Sequence, residues 1–392
     1  MYDIIIIWWW ASWLFCSINA HKNSKKLIIE KQETLWNKIL LSWWWRCNFT
    51  NLNIDPERYF WQNRKMLASV FYKYSNYDFM NYLEENWILY NIEDNGRVIL
   101  KSWKAKELLE FLIKKSEENN TKIQTWQTIT KVEKENDFFK MTTEQTEFLC
   151  KKLVISTWWI SYPQAWATSF WIDIAKQFWL KIVPSFPALC WLETEINFSD
   201  LSWSSITWKV EILDWNKTIY ENKWNILFTH RWLSWPVIFN CSAWLAEYIT
   251  KILYKNLHHN KSESSFKKDQ NNFPLFKEGG WAIAKTGDFF ENNLNLRITP
   301  NEITKKLEKF MDTLNLEWQE ITTKITNFRP LEEAKVSSGG VDMNEIKPNF
   351  ECKNVPNLYF IWETLDIIWE TGWFNLQRAR SSWYICGQNF NN

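Results

Sequence analysis

The chain has 392 residues, 46% of them hydrophobic, and a formal net charge of +1. That length fits two or three domains with a sizeable core and excludes a disordered protein. The near-neutral balance gives no reason to expect nucleic acid or an anionic membrane as a main partner. The apolar runs are too short or too interrupted to span a bilayer. The N-terminus has no basic n-region, and Asp3 stands beside the first apolar run, so no signal peptide is expected. Seven scattered cysteines (Cys16, Cys47, Cys150, Cys190, Cys241, Cys352, Cys386) include no C-x-x-C pair. Neither a metal site nor a disulfide framework is expected, and the chain reads as a reduced cytoplasmic protein.

Two counts do not fit: 31 tryptophans against 8 glycines. An α/β protein of this size needs many positive-φ positions, which glycine supplies. The tryptophans fall where glycine belongs. Trp87 in "LEENWILYN" and Trp179 in "AKQFWLKIV" stand at helix ends, where glycine is favoured. Trp215 in "EILDWNKTIYE" sits between two alternating strands, where a hairpin wants Asp-Gly. Trp373 follows a real glycine in "ETGWFN". A side chain of about 150–250 Å² suits none of these turns. The reading that follows is that most tryptophan letters mark glycine, through a stop codon reassigned to glycine but translated as tryptophan. Glycine would then number up to 39, the 31 tryptophan positions added to the 8 glycines. The alternative is a truly tryptophan-rich protein. Trp244 in "CSAWLAEYI" and Trp281 in a low-complexity stretch are the weakest candidates for glycine.

In chain order, "DIIII" predicts a buried strand and "ASWLFCSINAHK" a helix, with Trp8, Trp9, Trp10 and Trp13 between and within them. Trp8, Trp10 and Trp13 have G-x-G-x-x-G spacing. A second strand, "KKLIIEK", ends in Glu30, roughly 20 residues on, as the dinucleotide fingerprint requires. Glycines there would admit a pyrophosphate to the backbone and the helix N-terminus, and Glu30 would accept from ribose hydroxyls. Alone, Glu30 would read as a solvated strand end. Next comes "TLWNKILLSWWWRCNFTNLN", dense in glycine-like positions and polar side chains. "TITKVEKENDFFKMTTEQTEFLCKKLVIST" alternates as three or four short strands. "ALCWLETEINF" and "SSITWKVEILDWNKTIYENKWNILFTH" are strand-like, and "WPVIFNCSAWLAEYITKILYKNL" is helical. Residues 258–290 are polar and poorly periodic and read as a loop or disordered insertion. "TPNEITKKLEKFMDTLNL" predicts a helix capped at Thr299 before Pro300. A strand "NLYFI" and a helix starting in "TGWFNLQRA" close the chain.

Read with glycine for tryptophan, several blocks resemble a family of bacterial FAD flavoproteins that includes BaiN-like proteins and aminoacetone oxidases. They are T-L-G-N-K-I-L-L-S-G-G-G-R-C-N-F-T-N at 34–51, T-G-G-x-S-Y-P from Thr157, L-F-T-H-R-G-L-S-G-P around His230, "AKVSSGGVDMNEI", and "NLYFIWETLDIIWETGWFNLQRARSSW". The resemblance covers most of the chain apart from roughly 250–300. It implies an α/β, Rossmann-like FAD domain interrupted by a β-rich domain with a small helical part. The implied organisation is FAD domain over 1–185, inserted domain over 186–333, and the last part of the FAD domain over 334–392.

The resemblance also implies which residues meet FAD. The loop of Trp8, Trp9, Trp10, Ala11, Ser12 and Trp13, with Glu30, would hold the ADP half. Lys38, Trp45, Arg46 and Asn48 would lie along the cofactor near the flavin, where Arg46 could steady a reduced flavin or simply brace its loop. Val132 would offer backbone to the adenine, and Thr157, Trp158 and Trp159 would turn against the cofactor. Trp362-Glu363 would bond the ribityl chain, with Asp366 a second candidate. Amides around Asn375, Leu376 and Gln377 would face the flavin O2 side; Asn375 alone would read as an N-cap. His230 is a candidate base, or a residue ordering its loop. Cys47 has no partner four or five residues away and carries no redox role.

The implied function is that of an FAD-dependent oxidoreductase moving a hydride between a small substrate, an amine being one candidate, and flavin N5. Oxygen or NAD(P)H would be the redox partner. No second G-x-G-x-x-G unit is found, so an NAD(P)H-dependent reductase would lack a dedicated nicotinamide domain. From other classes, the alternatives are a non-catalytic FAD-binding protein and an RNA-modifying flavoprotein, the latter disfavoured by the missing basic tract.

Overall fold

The structure is a computed structural model that describes residues 1–8, 13–33, 48–56, 59–60, 64–93, 96–102, 104–157, 169–230, 232–234, 236–258, 294–314, 320–369 and 372–391. In chain order the elements used below are β1 (Tyr2–Trp8), α1 (Trp13–Asn19), β2 (Lys26–Glu30), β3 (Asn48–Asn51), α2 (Arg64–Lys73), α3 (Asn76–Glu85), β4 (Tyr90–Ile92), β5 (Arg97–Leu100), α4 (Ala105–Glu118), β6 (Thr121–Gln124), β7 (Ile129–Glu135), β8 (Phe138–Thr143) and β9 (Glu147–Ser156). They continue with α5 (Phe170–Gln177), β10 (Leu192–Thr194), β11 (Ser205–Asp214), β12 (Lys217–Phe228), β13 (Leu233–Ser234), α6 (Pro236–His258), β14 (Leu294–Pro300), α7 (Lys305–Thr313), β15 (Ile321–Phe328), β16 (Leu358–Phe360) and α8 (Gly372–Gln388). The chain divides into two compact units: 1–182 with 340–367 and 373–392, and 183–339 with 368–372.

The first unit is built on a mixed sheet in the order β6-β2-β1-β9-β8-β7, with β16 also paired to β9. β6, β2, β1, β9 and β16 run parallel. Their spatial order is that of a doubly wound nucleotide-binding fold, with the switch point between β1 and β9. β1 and β2 carry continuous apolar runs because a parallel strand is covered on both faces. Ile4, Ile5, Ile6, Ile7, Leu27, Ile28 and Ile29 are all buried, each such side chain contributing roughly 1.5–3 kcal/mol. α1 packs on α4 through a Ser17–Ser116 hydroxyl pair at 2.7 Å. The Asn119 amide closes α1 by donating to the carbonyls of Ser17, Ile18 and Ala20 at 2.7, 2.9 and 2.8 Å. These bonds satisfy carbonyls that the helix end leaves open. β7, β8 and β9 form an antiparallel meander on the sheet, as the alternation in that stretch predicts.

The second unit is a closed six-stranded barrel, β10-β13-β12-β11-β14-β15, closed by pairing of Leu192 with Phe328. Alternate residues are buried along β11, β14 and β15, including Trp208, Val210, Ile212, Leu296, Ile298 and Ile325, which is the period-2 signature of strands with one core face. α6 packs on β12. There Trp244 stacks on Tyr220 (5.1 Å, 26°) and on Tyr248 (5.1 Å, 15°). Arg329 bonds Glu193 at 2.7 Å and Glu333 at 2.5 and 3.0 Å and lies 3.9 Å from the Trp232 ring.

One expectation is corrected. Thr299 and Pro300 do not cap a helix; they end β14, paired with Lys209 and Trp208. The apolar/polar alternation of "LNLRITP" carries the strand through Pro300, and the helix starts at Lys305, where Thr304 accepts from the Leu307 amide at 3.3 Å.

Among the described residues six tryptophans have left-handed backbone: Trp87 (φ 61), Trp126 (59), Trp179 (58), Trp203 (65), Trp215 (57) and Trp362 (66). The first five are exposed by 64% or more. Cβ sterics make this region costly for any residue but glycine, by roughly 1–2 kcal/mol. Three other indoles, of Trp191, Trp208 and Trp383, bury their N–H with no acceptor among the described residues. No helix among the described residues is long and apolar enough to cross a membrane.

Candidate functional site

The C-terminal ends of β2, β1 and β9 lie in one row. Trp8 is in register with Glu30 on one side and with Ser156 on the other. In open α/β sheets a nucleotide binds outside these strand ends at the switch point, and Glu30, Ser156 and Thr157 here are polar and buried. Glu30 is 1% exposed; its Oε1 accepts from the Gln32 amide at 2.8 Å. Burial lifts its pKa to about 8, against the lowering effect of the Gln32 and Lys31 amides. The hydroxyls of Ser156 and Thr157 are buried with no partner among the described residues. A buried hydroxyl is ordinarily hydrogen-bonded, so these two, with the carboxyl of Glu30, fit a ligand rich in hydroxyl and phosphate groups. Trp13 is the first residue of α1, whereas Trp9, Trp10, Ala11 and Ser12 lie outside the described residues.

A second cluster joins β3 to α8. Asn48 begins β3, paired with Ile99 of β5. Thr50 donates its hydroxyl to Gln377 Oε1 at 2.7 Å, and Gln377 Nε2 donates to the Ser381 hydroxyl at 3.2 Å. Ser381 also bonds the Tyr74 carbonyl at 2.7 Å, and Arg380 donates to the Phe49 carbonyl. The Arg380 guanidinium stands 4.3 Å from the Phe79 ring. The buried Gln377 side chain is thereby committed within the protein, leaving the α8 backbone as the group it can present. Asn375 lies in the first turn of α8, and Leu376, next to it, is half-buried. Lys38, Trp45 and Arg46 lie outside the described residues.

A third segment follows β16. Trp362 begins a tight turn through Thr364, with the Leu365 amide donating to the Trp362 carbonyl at 3.2 Å. Glu363 is half-buried and Asp366 is buried. The Asp366 amide donates to the Val341 carbonyl at 3.1 Å. Gly340 (φ +141) lets these backbones meet, since a Cβ there would stand 2.4 Å from the Leu365 carbonyl carbon.

The remaining expected residues fall apart from these clusters. Val132 lies within β7, and its carbonyl accepts from Gln177 Nε2 at 2.7 Å. Trp158 and Trp159 lie outside the described residues, as does Trp281. His230 is exposed, in the turn after β12 of the barrel unit. Sequence reasoning missed Ser156, Arg378 and Arg380. For the two arginines the signal was their polarity inside "NLQRARSSW", a helix otherwise fit for burial.

A family description, HI0933-like protein Rossmann domain, matches residues 2–389. The chain belongs to the HI0933-like family. Its α/β Rossmann architecture with an additional β-rich region follows from that membership, and FAD is the cofactor of HI0933-like proteins. The chain is 27% identical to the ribosomal RNA dihydrouridine synthase of Escherichia coli (strain K12), over 99% of this chain and 98% of the relative. It is 28% identical to the protein of the same name from Haemophilus influenzae, over 97% and 96%. Among solved structures it is similar to THI4 of Thermovibrio ammonificans, with 10% identity and a TM-score of 0.31 over 48% of this chain and 67% of that one. That likeness is too distant to carry an argument.

Proposed function

We propose that this HI0933-like protein is an FAD-dependent oxidoreductase that reduces a uridine base of ribosomal RNA. What supports the substrate is the near full-length similarity to two relatives named ribosomal RNA dihydrouridine synthases. The reaction saturates one C=C bond of the base, which takes a hydride on one carbon and a proton on the other. Bound FAD supplies the hydride chemistry, with a reduced nicotinamide as the source of the electron pair. The chain's part is to hold the cofactor: Glu30 at the ribose, the strand ends at Ser156 and Thr157 beside it, and the α8 amides and the Glu363–Asp366 turn at the flavin end. The near-neutral charge bears on non-specific RNA binding and leaves room for one base held by shape and hydrogen bonds.

In this reading residues 1–185 and 334–392 form the FAD domain and 186–333 the inserted, substrate-side domain. Most tryptophan letters stand for glycine. The left-handed backbone at Trp87, Trp126, Trp179, Trp203, Trp215 and Trp362 supports this, and so do the buried indole N–H groups without acceptors. Trp244, stacked between two tyrosines, is the exception and is tryptophan in the cell. The intact mass of the native protein tests the substitution, and a mass matching 31 tryptophans overturns it.

A second reading, oxidation of a small amine with oxygen as acceptor, is favoured by the resemblance to aminoacetone oxidases. The yellow, glycine-bearing protein separates the two. Incubation with NADPH and unmodified ribosomal RNA should produce dihydrouridine, read by nucleoside mass spectrometry. Bleaching of the flavin by amines but not by NADPH, with no dihydrouridine, would overturn the RNA reading in favour of the second.

A further inference from the structure

Arg378 has no role in the fingerprint or in the resemblance, yet it is a deeply buried cation. It lies on α8 and is 3% exposed. It lines a small cavity with Met66, Leu67, Val70, Met343 and Trp362, an apolar setting that makes an uncompensated charge costly. A guanidinium does not escape that cost by losing its proton. Its compensation is local: it donates to the Ile367 carbonyl, and the groups that favour its charge are Glu363, Tyr59 and Asp366. Its Nε–H is buried with no acceptor among the described residues.

All of these partners but Tyr59 belong to one short stretch, 363–367, which follows β16 at the edge of the parallel sheet. The same stretch meets Gly340–Val341, through the Asp366-to-Val341 bond at 3.1 Å and the close approach at Gly340. The turn is therefore held both by the neighbouring 340–341 backbone and by the Arg378 bond to the Ile367 carbonyl. Two carboxylates in a turn repel each other and would swing toward water. The guanidinium holds the Ile367 carbonyl at the end of this turn, and its charge is favoured by both carboxylates, which opposes that tendency.

We infer that Arg378 is a positioning residue for the cofactor: it fixes the Glu363–Asp366 turn so that its carboxylates meet the ribityl and flavin part of FAD. The inference rests on the FAD reading of that turn. Because Arg378 acts through the carboxylates, its effect must depend on their charge. Because it offsets two anions at the flavin end, its removal must also make the flavin harder to reduce.

The test uses the full glycine-bearing chain, stripped of FAD and titrated with it, in parent, Arg378→Lys and Arg378→Met forms, each also in an E363Q/D366N background. Arg378→Met is expected to weaken FAD binding by tenfold or more in the parent and by less than twofold in the E363Q/D366N background. Arg378→Lys is expected to recover most of the affinity. At saturating FAD the midpoint potential of Arg378→Met should fall below that of the parent. If Arg378→Met does not yield folded protein, Arg378→Lys across the two backgrounds carries the same comparison, with a smaller loss that again vanishes without the carboxylates. Equal losses in both backgrounds, or an unchanged potential, would make Arg378 a scaffold residue and overturn the inference. A parent that binds no FAD overturns the cofactor reading and this inference together. A parent that binds FAD while Arg378→Met binds equally well overturns the inference alone.

Discussion

Glu30 and Trp8 end neighbouring parallel strands at the same register position. That places a buried carboxyl at the point where β1 hands the chain to the loop before α1. The pair joins the acid of the nucleotide fingerprint to its first glycine-like position across one strand spacing.

The burial of Glu30 has a pH signature. Its native pKa is about 8 against an ordinary value of 4.5. Between those values the folded apoprotein holds a proton that the unfolded chain has released. Stability attributable to this group is therefore highest below pH 4.5, falls as pH rises, and levels off above about 8. Glu30→Gln should flatten that slope and leave the apoprotein more stable than the parent above pH 8, by up to a few kcal/mol. Urea unfolding of the cofactor-free protein across this range measures it, and parallel pH profiles for the two proteins would refute it. The same variant should bind FAD about tenfold or more weakly above pH 8, where the parent carboxylate is a charged acceptor.

Trp87, Trp179 and Trp215 combine positive φ with exposed indoles. Glycine at any one of them should stabilise the chain as written by about 1 kcal/mol, because strain is relieved and little burial is lost. Trp244→Gly should do the reverse, costing about 2–3 kcal/mol through lost helix propensity and two lost ring contacts. Chemical denaturation of the four single variants gives both signs in one experiment, and a uniform sign would contradict the contrast.

Gly340 tolerates no side chain. Its φ of +141 and the 2.4 Å approach to the Leu365 carbonyl carbon involve backbone on both sides. Gly340→Ala should destabilise by about 3 kcal/mol or more, seen as a lowered unfolding midpoint. A midpoint within error of the parent would show that the 340 and 365 backbones can separate freely.

The Thr50–Gln377 bond links positions 327 residues apart, both buried. Thr50→Val should cost about 1–2 kcal/mol by leaving Gln377 Oε1 short of a donor. Double-mutant analysis with Gln377→Leu should show coupling of at least about 0.5 kcal/mol. Additive losses would mean that the bond adds nothing beyond its parts.

Much of the fold is written in local pattern. Four isoleucines flanked by turn positions read as a doubly covered strand, and β1 is that strand. "EILDWNKTIYE" reads as a hairpin, and Trp215 sits at its tip with left-handed backbone. Where two local signals compete, pattern fails. "TP" resembles a helix start, but the alternation before it runs on into β14, and the cap falls at Thr304. The site was legible as segments: an acid at a strand end and a turn after the last parallel strand. It was not legible as partners, since nothing in "NLQRARSSW" tells that Gln377 is tied to Thr50 or that Arg378 bonds the Ile367 carbonyl.

The sequence by itself determined the strand and helix at the N-terminus, the cofactor class, and the left-handed turns at Trp87, Trp179 and Trp215. Those follow from periodicity and Cβ sterics, which act over a few neighbouring residues. Only the tertiary structure decided which polar groups lie buried at the strand ends, which carbonyl Arg378 and Arg380 each bond, and that Trp244 stacks on Tyr220 and Tyr248 while Trp87 is exposed. Burial and charge compensation arise between segments hundreds of residues apart, and no local pattern encodes which of them will meet.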